Sequence, residues 1–262
     1  KRVYLALNIF PHESDIKQIR TFLKSIRTIG LHALIASDIG MCALASDLTD
    51  IPIHASTQAS ILNTATASLW QSLGAKRIVL AREASLFESS QIKSSTQLET
   101  EVFIHGAMCS SFSGKCTISN VASGRDSNRG GCIQSCRHSY ELSTGDSTHV
   151  MNSKDLMGLD AIPDYFKYHV DAVKIEGRMK SALYVANACQ QYRQAIDSFA
   201  KDPQMFYEQM NQLKRNLNRV SNRGFTTASL QSKAAKSSIS YDWNGYSNSV
   251  QFIGIVHEQQ PK

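Results

Sequence analysis

Short apolar runs alternate with longer segments of helical periodicity along the first 180 residues of the chain. Each run has three to five residues rich in Val, Ile, Leu or Ala, a composition typical of strands buried on both faces. The six runs are residues 3–7, 33–36, 51–55, 78–81, 102–104 and 172–175. The repeated strand–helix–strand order predicts an α/β fold with a parallel sheet.

Apolar side chains at helical spacing predict the intervening helices. Ile16, Ile19 and Leu23 recur in this way before Gly30, and Leu62, Leu69 and Leu73 do so before Gly74. Two later helices are predicted over residues 182–199 and 206–220, the first with a stripe of Ala188, Tyr192, Ala195 and Phe199. Cys42 and Cys189 are expected to be buried on apolar helical stripes.

Polar or charged residues follow every apolar run, which favours a TIM-like (β/α) barrel over an open doubly wound sheet. In a barrel all carboxyl ends of the strands meet on one face, where the active site lies. No G-x-G-x-x-G motif follows a strand, so a dinucleotide site is not indicated. A closed barrel needs eight strands, and the chain starts at Lys1 rather than Met. We therefore expect an N-terminally truncated barrel that lacks its first two strands.

Two segments depart from the alternating pattern. Residues 107–149 are rich in Ser, Gly, Cys and Arg without periodicity, and irregular insertions of this length in a compact domain are usually functional. Near the C-terminus, residues 238–243 and 249–256 are predicted strands. The domain prediction is a barrel over residues 1–220, with its Cys-rich insertion at 107–149, and the start of a small β domain over residues 221–262.

Composition and charge narrow the function classes. The 262 residues are 42% hydrophobic and 19% charged, which excludes disorder over most of the chain. No apolar run is long enough for a transmembrane helix and no signal peptide is visible, so we expect a cytoplasmic protein without a membrane partner. The formal charge of +6 suits an anionic partner such as RNA, although a solvated basic face explains it equally well.

Four of the six cysteines lie within 28 residues of the insertion, with the spacing C-x6-C-x15-C-x3-C: Cys109, Cys116, Cys132 and Cys136. Four clustered thiolates suit a tetrahedral zinc ion or an iron–sulfur cluster. Two disulfides or four unrelated thiols are the alternatives, and disulfides would require an oxidising compartment. A catalytic cysteine is a further option, because His105 stands four residues before Cys109.

Side chains that follow the strands supply candidate catalytic and binding groups. Glu83 and Glu176 are placed to act as acid or base, and His54 shares a strand face with Gln58. Arg178 and Lys180 stand between a strand and a helix, where barrels often bind phosphate. Solvated cations, a core histidine and an Arg82–Glu83 pair are the structural alternatives.

Several sequence blocks resemble the signature of the collagenase-like peptidase family. The longest are EVFIHGAMCSSFSGKCTIS at residues 101–119 and SGRDSNRGGCIQSCR at 123–137. Shorter blocks are HASTQ at 54–58, LARE at 80–83, NSKDL at 152–156, KIEGRMKS at 174–181 and NRGFTT at 222–227. The resemblance extends from residue 3 to about residue 228.

The resemblance implies a TIM-like barrel followed by a small β domain, and either of two activities. Family members are described as proteases, and others take part in RNA hydroxylation, forming 5-hydroxyuridine in tRNA or hydroxycytidine in rRNA. Related proteins carry a [4Fe-4S] cluster on four cysteines, which implies Cys109, Cys116, Cys132 and Cys136 as ligands here.

The first hypothesis is therefore a tRNA uridine hydroxylation enzyme. His54, Glu83 and Glu176 are its candidate catalytic residues, facing a flipped base or a small co-substrate. Its candidate substrate-binding residues are Gln58, Arg125, Arg129, Arg137, Lys154, Arg178 and Lys180. The second hypothesis is a peptidase, with or without a catalytic metal, that acts on a protein substrate. The third is a binding scaffold with structural zinc. A homo-oligomer is expected if strand edges are exposed.

Overall fold

The computed structural model describes residues 1–246 and 253–254 and shows strands alternating with helices. The strands are β1 (Tyr4–Leu7), β2 (Ala33–Ala36), β3 (Ile53–Ala55), β4 (Ala75–Val79), β5 (Glu99–Gly106), β6 (Tyr140–Glu141), β7 (Ser147–Thr148), β8 (Asp155–Met157), β9 (Ala172–Glu176) and β10 (Phe225–Thr226). The helices are α1 (Glu13–Ser25), α2 (Ile39–Leu48), α3 (Thr64–Ser72), α4 (Leu86–Thr96), α5 (Ile118–Ser123), α6 (Ile162–Lys167), α7 (Ala182–Lys201) and α8 (Pro203–Asn218).

Six strands form a parallel series in the order β1-β2-β3-β4-β5-β9. All six overlap the apolar runs of the sequence, so the predicted α/β fold with a parallel sheet is confirmed. Among the described residues, β1 pairs only with β2 and β9 only with β5. Closure of this series into a complete barrel therefore stays a prediction.

Side-chain caps and apolar stripes explain where the helices begin and which faces they bury. Asp38, Asn63, Ser85 and Ser181 each accept a backbone N–H of the first turn of α2, α3, α4 and α7. The predicted helices over residues 182–199 and 206–220 are confirmed as α7 and α8. Helix α8 buries Phe206, Leu213 and Leu217, members of the predicted stripe.

Two predictions about helix faces are corrected. Helix α3 buries Ala67 and Trp70, whereas Leu69 is 50% exposed, because the core contacts a neighbouring stripe of that helix. Cys42 is buried as expected, but Cys189 is exposed. In α7 the buried stripe contains Ala188 and Tyr192, and Cys189 lies about 100° around the helix from Ala188.

The C-terminal part of the chain returns to the main sheet. Strand β8 runs antiparallel to the end of β5, and β10 pairs in parallel with β8. The predicted boundary between residues 220 and 221 thus precedes a strand of the main sheet, and a separate C-terminal domain stays a prediction. No helix among the described residues has the length and apolar character needed to cross a membrane.

The strand predicted at residues 238–243 is absent, and this prediction was wrong. Residues Lys236–Ser238 form a turn of 3-10 helix, followed by an isolated antiparallel bridge between Ile239 and Ser153. Backbone groups of Ser238 and Ser240 bond to Lys154 and Asn152, which lie in an irregular loop and offer no continuous strand partner. The strand predicted at residues 249–256 lies almost entirely outside the described residues.

Candidate functional site

A cavity of ≈ 440 Å³ opens at the carboxyl ends of the central strands. Arg82 follows β4, Ala107 follows β5 and Glu176 ends β9, and all three line the cavity. The remaining walls come from the irregular insertion between β5 and β8. This is the end of a parallel sheet at which α/β proteins bind their ligands.

Gly106 lets the chain leave β5 for the insertion at a place where two strands lie very close. Its φ is +114°, and an added Cβ would stand 2.3 Å from the carbonyl oxygen of Glu176. Only glycine combines this backbone conformation with this close approach. The insertion therefore starts beside Glu176, and Cys109 follows three residues later.

All four clustered cysteines of the insertion line the cavity. They are Cys109, Cys116, Cys132 and Cys136. Cys109 follows β5, Cys116 precedes α5, and the other two lie between α5 and the β6–β7 hairpin. None of the four forms a disulfide. The fold thus gathers four thiols from 28 residues of irregular chain at one place.

Hydrogen bonds and neighbouring charges act directly on these sulfur atoms. Burial opposes ionisation of Cys116, but hydrogen bonds from Ser111, Ser127 and nearby backbone N–H groups outweigh it, and its pKa is lowered. The backbone N–H of Gln134 donates to Cys132 Sγ at 3.4 Å. Donors of this kind stabilise thiolates, the form in which cysteine binds a metal.

Both burial and neighbouring charges act on the pKa of Cys136. Burial raises its pKa, negative charge on Cys109 and Cys132 adds to the rise, and Arg137 and Arg223 oppose it. Three of the four sulfurs are therefore close enough to interact electrostatically. Their mutual repulsion as thiolates would be relieved by a bound cationic centre.

The donor set fits an iron–sulfur cluster by its chemistry. Thiolates are soft ligands, and each cysteine of a [4Fe-4S] cluster binds a different iron, so the four sulfurs need not converge on one ion. Within residues 1–246 and 253–254, no three His, Cys, Asp or Glu side chains are arranged to share a single metal ion. Cluster and zinc ligation both stay predictions, to be decided by metal analysis.

Of the two candidate catalytic carboxylates, Glu176 lines the cavity, whereas Glu83 forms hydrogen bonds with a residue of the insertion. Glu176 accepts the backbone N–H of Arg178 at 2.8 Å and lies 3.8 Å from Arg82 Nη2. Glu83 accepts the backbone N–H of Ser113 at 2.6 Å and its hydroxyl at 2.5 Å. Glu83 therefore binds the insertion to the segment that follows β4. The Arg82–Glu83 pair, considered as a structural alternative, is not formed, and Arg82 lies beside Glu176 instead.

His54 lies inside the sheet, and the cavity lining does not include it. Its ring contacts Tyr4 edge-on at a centroid distance of 5.0 Å, and its side chain is buried. Burial lowers the pKa of His54 to about 4, and the charge of Arg77 adds to this effect. The structure therefore places a neutral imidazole in a buried polar layer rather than beside the cysteines.

Three of the candidate basic residues line the cavity: Arg125, Arg137 and Arg178. Arg178 is exposed, and its Nη2 donates to the carbonyl of Gly130 at 3.0 Å. Arg137 donates to Tyr246 Oη at 2.6 Å. The exposed Arg125 carries no side-chain hydrogen bond within the part of the chain that the structure describes. The cavity wall is therefore positively charged.

The other candidate binding residues are engaged elsewhere. Arg129 donates hydrogen bonds from Nη1 and Nη2 to the carboxylate of Asp15 at the start of α1, at 2.6 and 3.2 Å. Lys180 is largely buried and donates to the carbonyl of Ser221 at 3.1 Å. Gln58 accepts from Asn8, and Lys154 lines a neighbouring cavity of ≈ 290 Å³. These residues support the site without lining the cysteine cavity.

A buried ion pair beside Cys109 was missed by the sequence analysis. Arg223 donates Nε to Asp155 Oδ1 at 2.9 Å, and both side chains are 1% exposed or less. Arg223 Nη2 also donates to the carbonyl of Met108, the residue before Cys109, at 3.4 Å. Both residues fall in blocks that carry the family resemblance, and no periodicity indicates that they pair.

His105 also belongs to this buried layer. It is fully buried, and its Nδ1 lies 3.2 Å from Tyr192 Oη, while Nε2 has no hydrogen-bond partner among the described residues. Burial lowers its pKa to about 4. His105 is therefore not hydrogen-bonded to Cys109, and the structure does not form the Cys–His pair considered as a catalytic option.

Comparison with known proteins agrees with the resemblance. The family model described as "Peptidase family U32" matches residues 1–240. The tRNA hydroxylation protein P1 of Bacillus subtilis is 34% identical over 97% of this chain and 63% of its own length. The tRNA hydroxylation protein P of Helicobacter pylori strain J99 is 38% identical over 86% of this chain and 57% of its own length.

Relatives with other names match as well. The 23S rRNA 5-hydroxycytidine C2501 synthase of Escherichia coli is 33% identical over 77% of this chain and 31% of its own length. The chain thus spans less than two thirds of the length of each of these three curated relatives. With a match over residues 1–240, the chain belongs to peptidase family U32.

Proposed function

We propose that this protein hydroxylates RNA, with a uridine of tRNA as the substrate and a [4Fe-4S] cluster held by the four clustered cysteines. The observation that carries the proposal is a single cavity lined by four thiols and four arginines at the carboxyl ends of the strands. The names of the relatives from Bacillus subtilis and Helicobacter pylori support tRNA as the RNA.

The size and charge of the cavity suit one nucleotide. Its volume of ≈ 440 Å³ falls in the usual range for small-ligand sites. Enzymes that modify a base inside folded RNA must move that base out of its stack and into a pocket. Arg125 and Arg178 would contact the flanking phosphates, because guanidinium groups form paired, charge-assisted hydrogen bonds with phosphate.

The cysteines and the strand-end groups have separate roles in this proposal. Cys109, Cys116, Cys132 and Cys136 would hold the cluster, which supplies electron transfer when bound. Glu176 and Arg82 stand on the sheet side of the cavity, where they would orient the base or a small co-substrate. The backbone donor to Cys132 and the hydroxyl donors to Cys116 would stabilise the thiolate ligands.

Mass spectrometry of RNA from a gene-deletion strain tests this function. We expect a tRNA uridine to lose the mass of one oxygen atom, and the full-length protein should restore it. Cys132→Ser should fail to restore it, whereas Cys189→Ser, at an exposed cysteine outside the cavity, should succeed. Unchanged tRNA would contradict the proposal. Cleavage of gelatin by the purified protein, lost on Glu176→Gln, would favour the peptidase hypothesis instead.

A further inference from the structure

Met179 has an unusual backbone conformation at the cavity. Its φ is +62°, in the left-handed region that non-glycine residues adopt at a cost. It is the third residue of a tight turn closed by a hydrogen bond from the Lys180 N–H to the Gly177 carbonyl, at 3.0 Å. A glycine would adopt this conformation without strain, so the presence of a large side chain needs a reason.

The side chain of Met179 contributes little to the folded core. It is 84% exposed, yet it lines the same cavity as the four cysteines. Both neighbours are anchored, because Arg178 donates to the Gly130 carbonyl and Lys180 to the Ser221 carbonyl. The turn therefore holds an apolar side chain at the cavity opening while fixing the residues on either side.

The surroundings of Met179 indicate what it would contact. Arg178, the preceding residue, and Arg125 line the same cavity and give it a positive charge, which suits a phosphate backbone. An unbranched thioether side chain packs well against aromatic faces, and nucleobases offer such faces. Proteins that unstack nucleic acids insert apolar side chains, methionine among them, between neighbouring bases.

We propose that Met179 is an apolar wedge that packs against the base next to the nucleotide entering the cavity. It would take the stacking position that the extruded base leaves, and so favour the open arrangement of the RNA. This inference rests on the proposed RNA function and adds a positioning residue to it. Met179 acts on the substrate's neighbour and takes no part in the chemistry at the cysteines.

The test uses an RNA hairpin that carries 2-aminopurine beside a loop uridine, a probe whose fluorescence rises on unstacking. The full-length protein should bind it and raise the fluorescence. Met179→Gly keeps the turn conformation, so the protein should fold normally and bind within about threefold of the wild-type affinity, but the fluorescence rise should be lost. Met179→Leu should restore the rise.

Val121→Ala provides the matched control, because Val121 is 88% exposed on α5 and does not line the cavity. This variant should behave as the wild type. If the wild type binds the hairpin and Met179→Gly raises the fluorescence equally, the wedge is refuted while the RNA function stands. If the wild type binds no RNA, the proposed function and the wedge both fail.

Discussion

Some side chains around the cavity line it and are available to a ligand, whereas others form hydrogen bonds that stabilise its wall. Glu176 lines the cavity, whereas Glu83 bonds twice to Ser113, which is fully buried with a φ of 48°. The sequence places both carboxylates after strands and cannot distinguish them, because Ser113 lies 30 residues from Glu83. Only the folded insertion shows which carboxylate is already engaged.

We predict that Glu83→Ala lowers the free energy of unfolding by about 1–3 kcal/mol, because it leaves buried donors of Ser113 without an acceptor. Glu83→Gln, which keeps one acceptor oxygen, should cost less. Urea denaturation measures both, with Glu141→Ala on the exposed end of the β6–β7 hairpin as the control. Equal stability of Glu83→Ala and the control would show that this contact contributes nothing.

From the burial of His54 we predict that the stability of the fold depends on pH. The unfolded imidazole binds a proton near pH 6.5, whereas burial lowers the pKa of folded His54 to about 4. Between these values the unfolded state binds more protons, so stability falls on acidification through this window. The charges around His54 are those of Arg77, Glu101, Glu99 and Lys174.

The expected loss assigned to His54 is roughly 2–3 kcal/mol between pH 6.5 and 4. Denaturation curves across this range should show a shallower loss for His54→Gln than for the wild type. Parallel pH profiles for the two proteins would mean that the buried imidazole does not titrate as described.

Elements that carry periodic patterns are predictable from the sequence, and the connections between them are not. Strands β2–β5 match apolar runs and are largely buried, as expected inside a parallel sheet, whereas β1 and β9 match such runs but are only partly buried. The insertion has no period, since its form depends on glycine conformations, thiol positions and distant pairs such as Arg129–Asp15, 114 residues apart. Sequence spacing therefore identifies the cysteines but not the arrangement of the basic residues around them.

The Asp155–Arg223 pair links β8 to the segment that leads into β10. Arg223→Ala would leave the buried Asp155 carboxylate with Lys180, at 3.7 Å, as its remaining cationic partner among the described residues, so the free energy of unfolding should fall by about 3 kcal/mol. The double variant Asp155→Asn with Arg223→Met should recover part of that loss. Chemical denaturation measures both, and an Arg223→Ala protein as stable as the wild type would contradict this role.

The whole molecule combines a net positive charge with a basic cavity at one end of its sheet. The chain spans 63% of the length of the Bacillus subtilis relative. The expected cytoplasmic location, co-substrate and homo-oligomer stay predictions. Charge at the cavity can nevertheless be tested with the full-length protein and RNA.

If Arg178 contacts phosphate, Arg178→Ala should weaken RNA binding and reduce the slope of log affinity against log salt by about one. Arg193 offers the control, because it lines a different cavity with Asp171 and Ala172, at the amino end of β9. Arg193→Ala should leave the slope unchanged. The same slope for wild type and Arg178→Ala would exclude a phosphate contact at this residue.

The most direct test of the four-cysteine centre is iron, zinc and sulfide analysis of full-length protein purified without air, together with its visible spectrum. We predict about four irons and four sulfides per chain and a brown colour. The Cys132→Ser protein should lose the iron, the sulfide and the colour, and the Cys189→Ser protein should keep all three. A colourless protein with one zinc, or iron content unaffected by Cys132→Ser, would contradict the account.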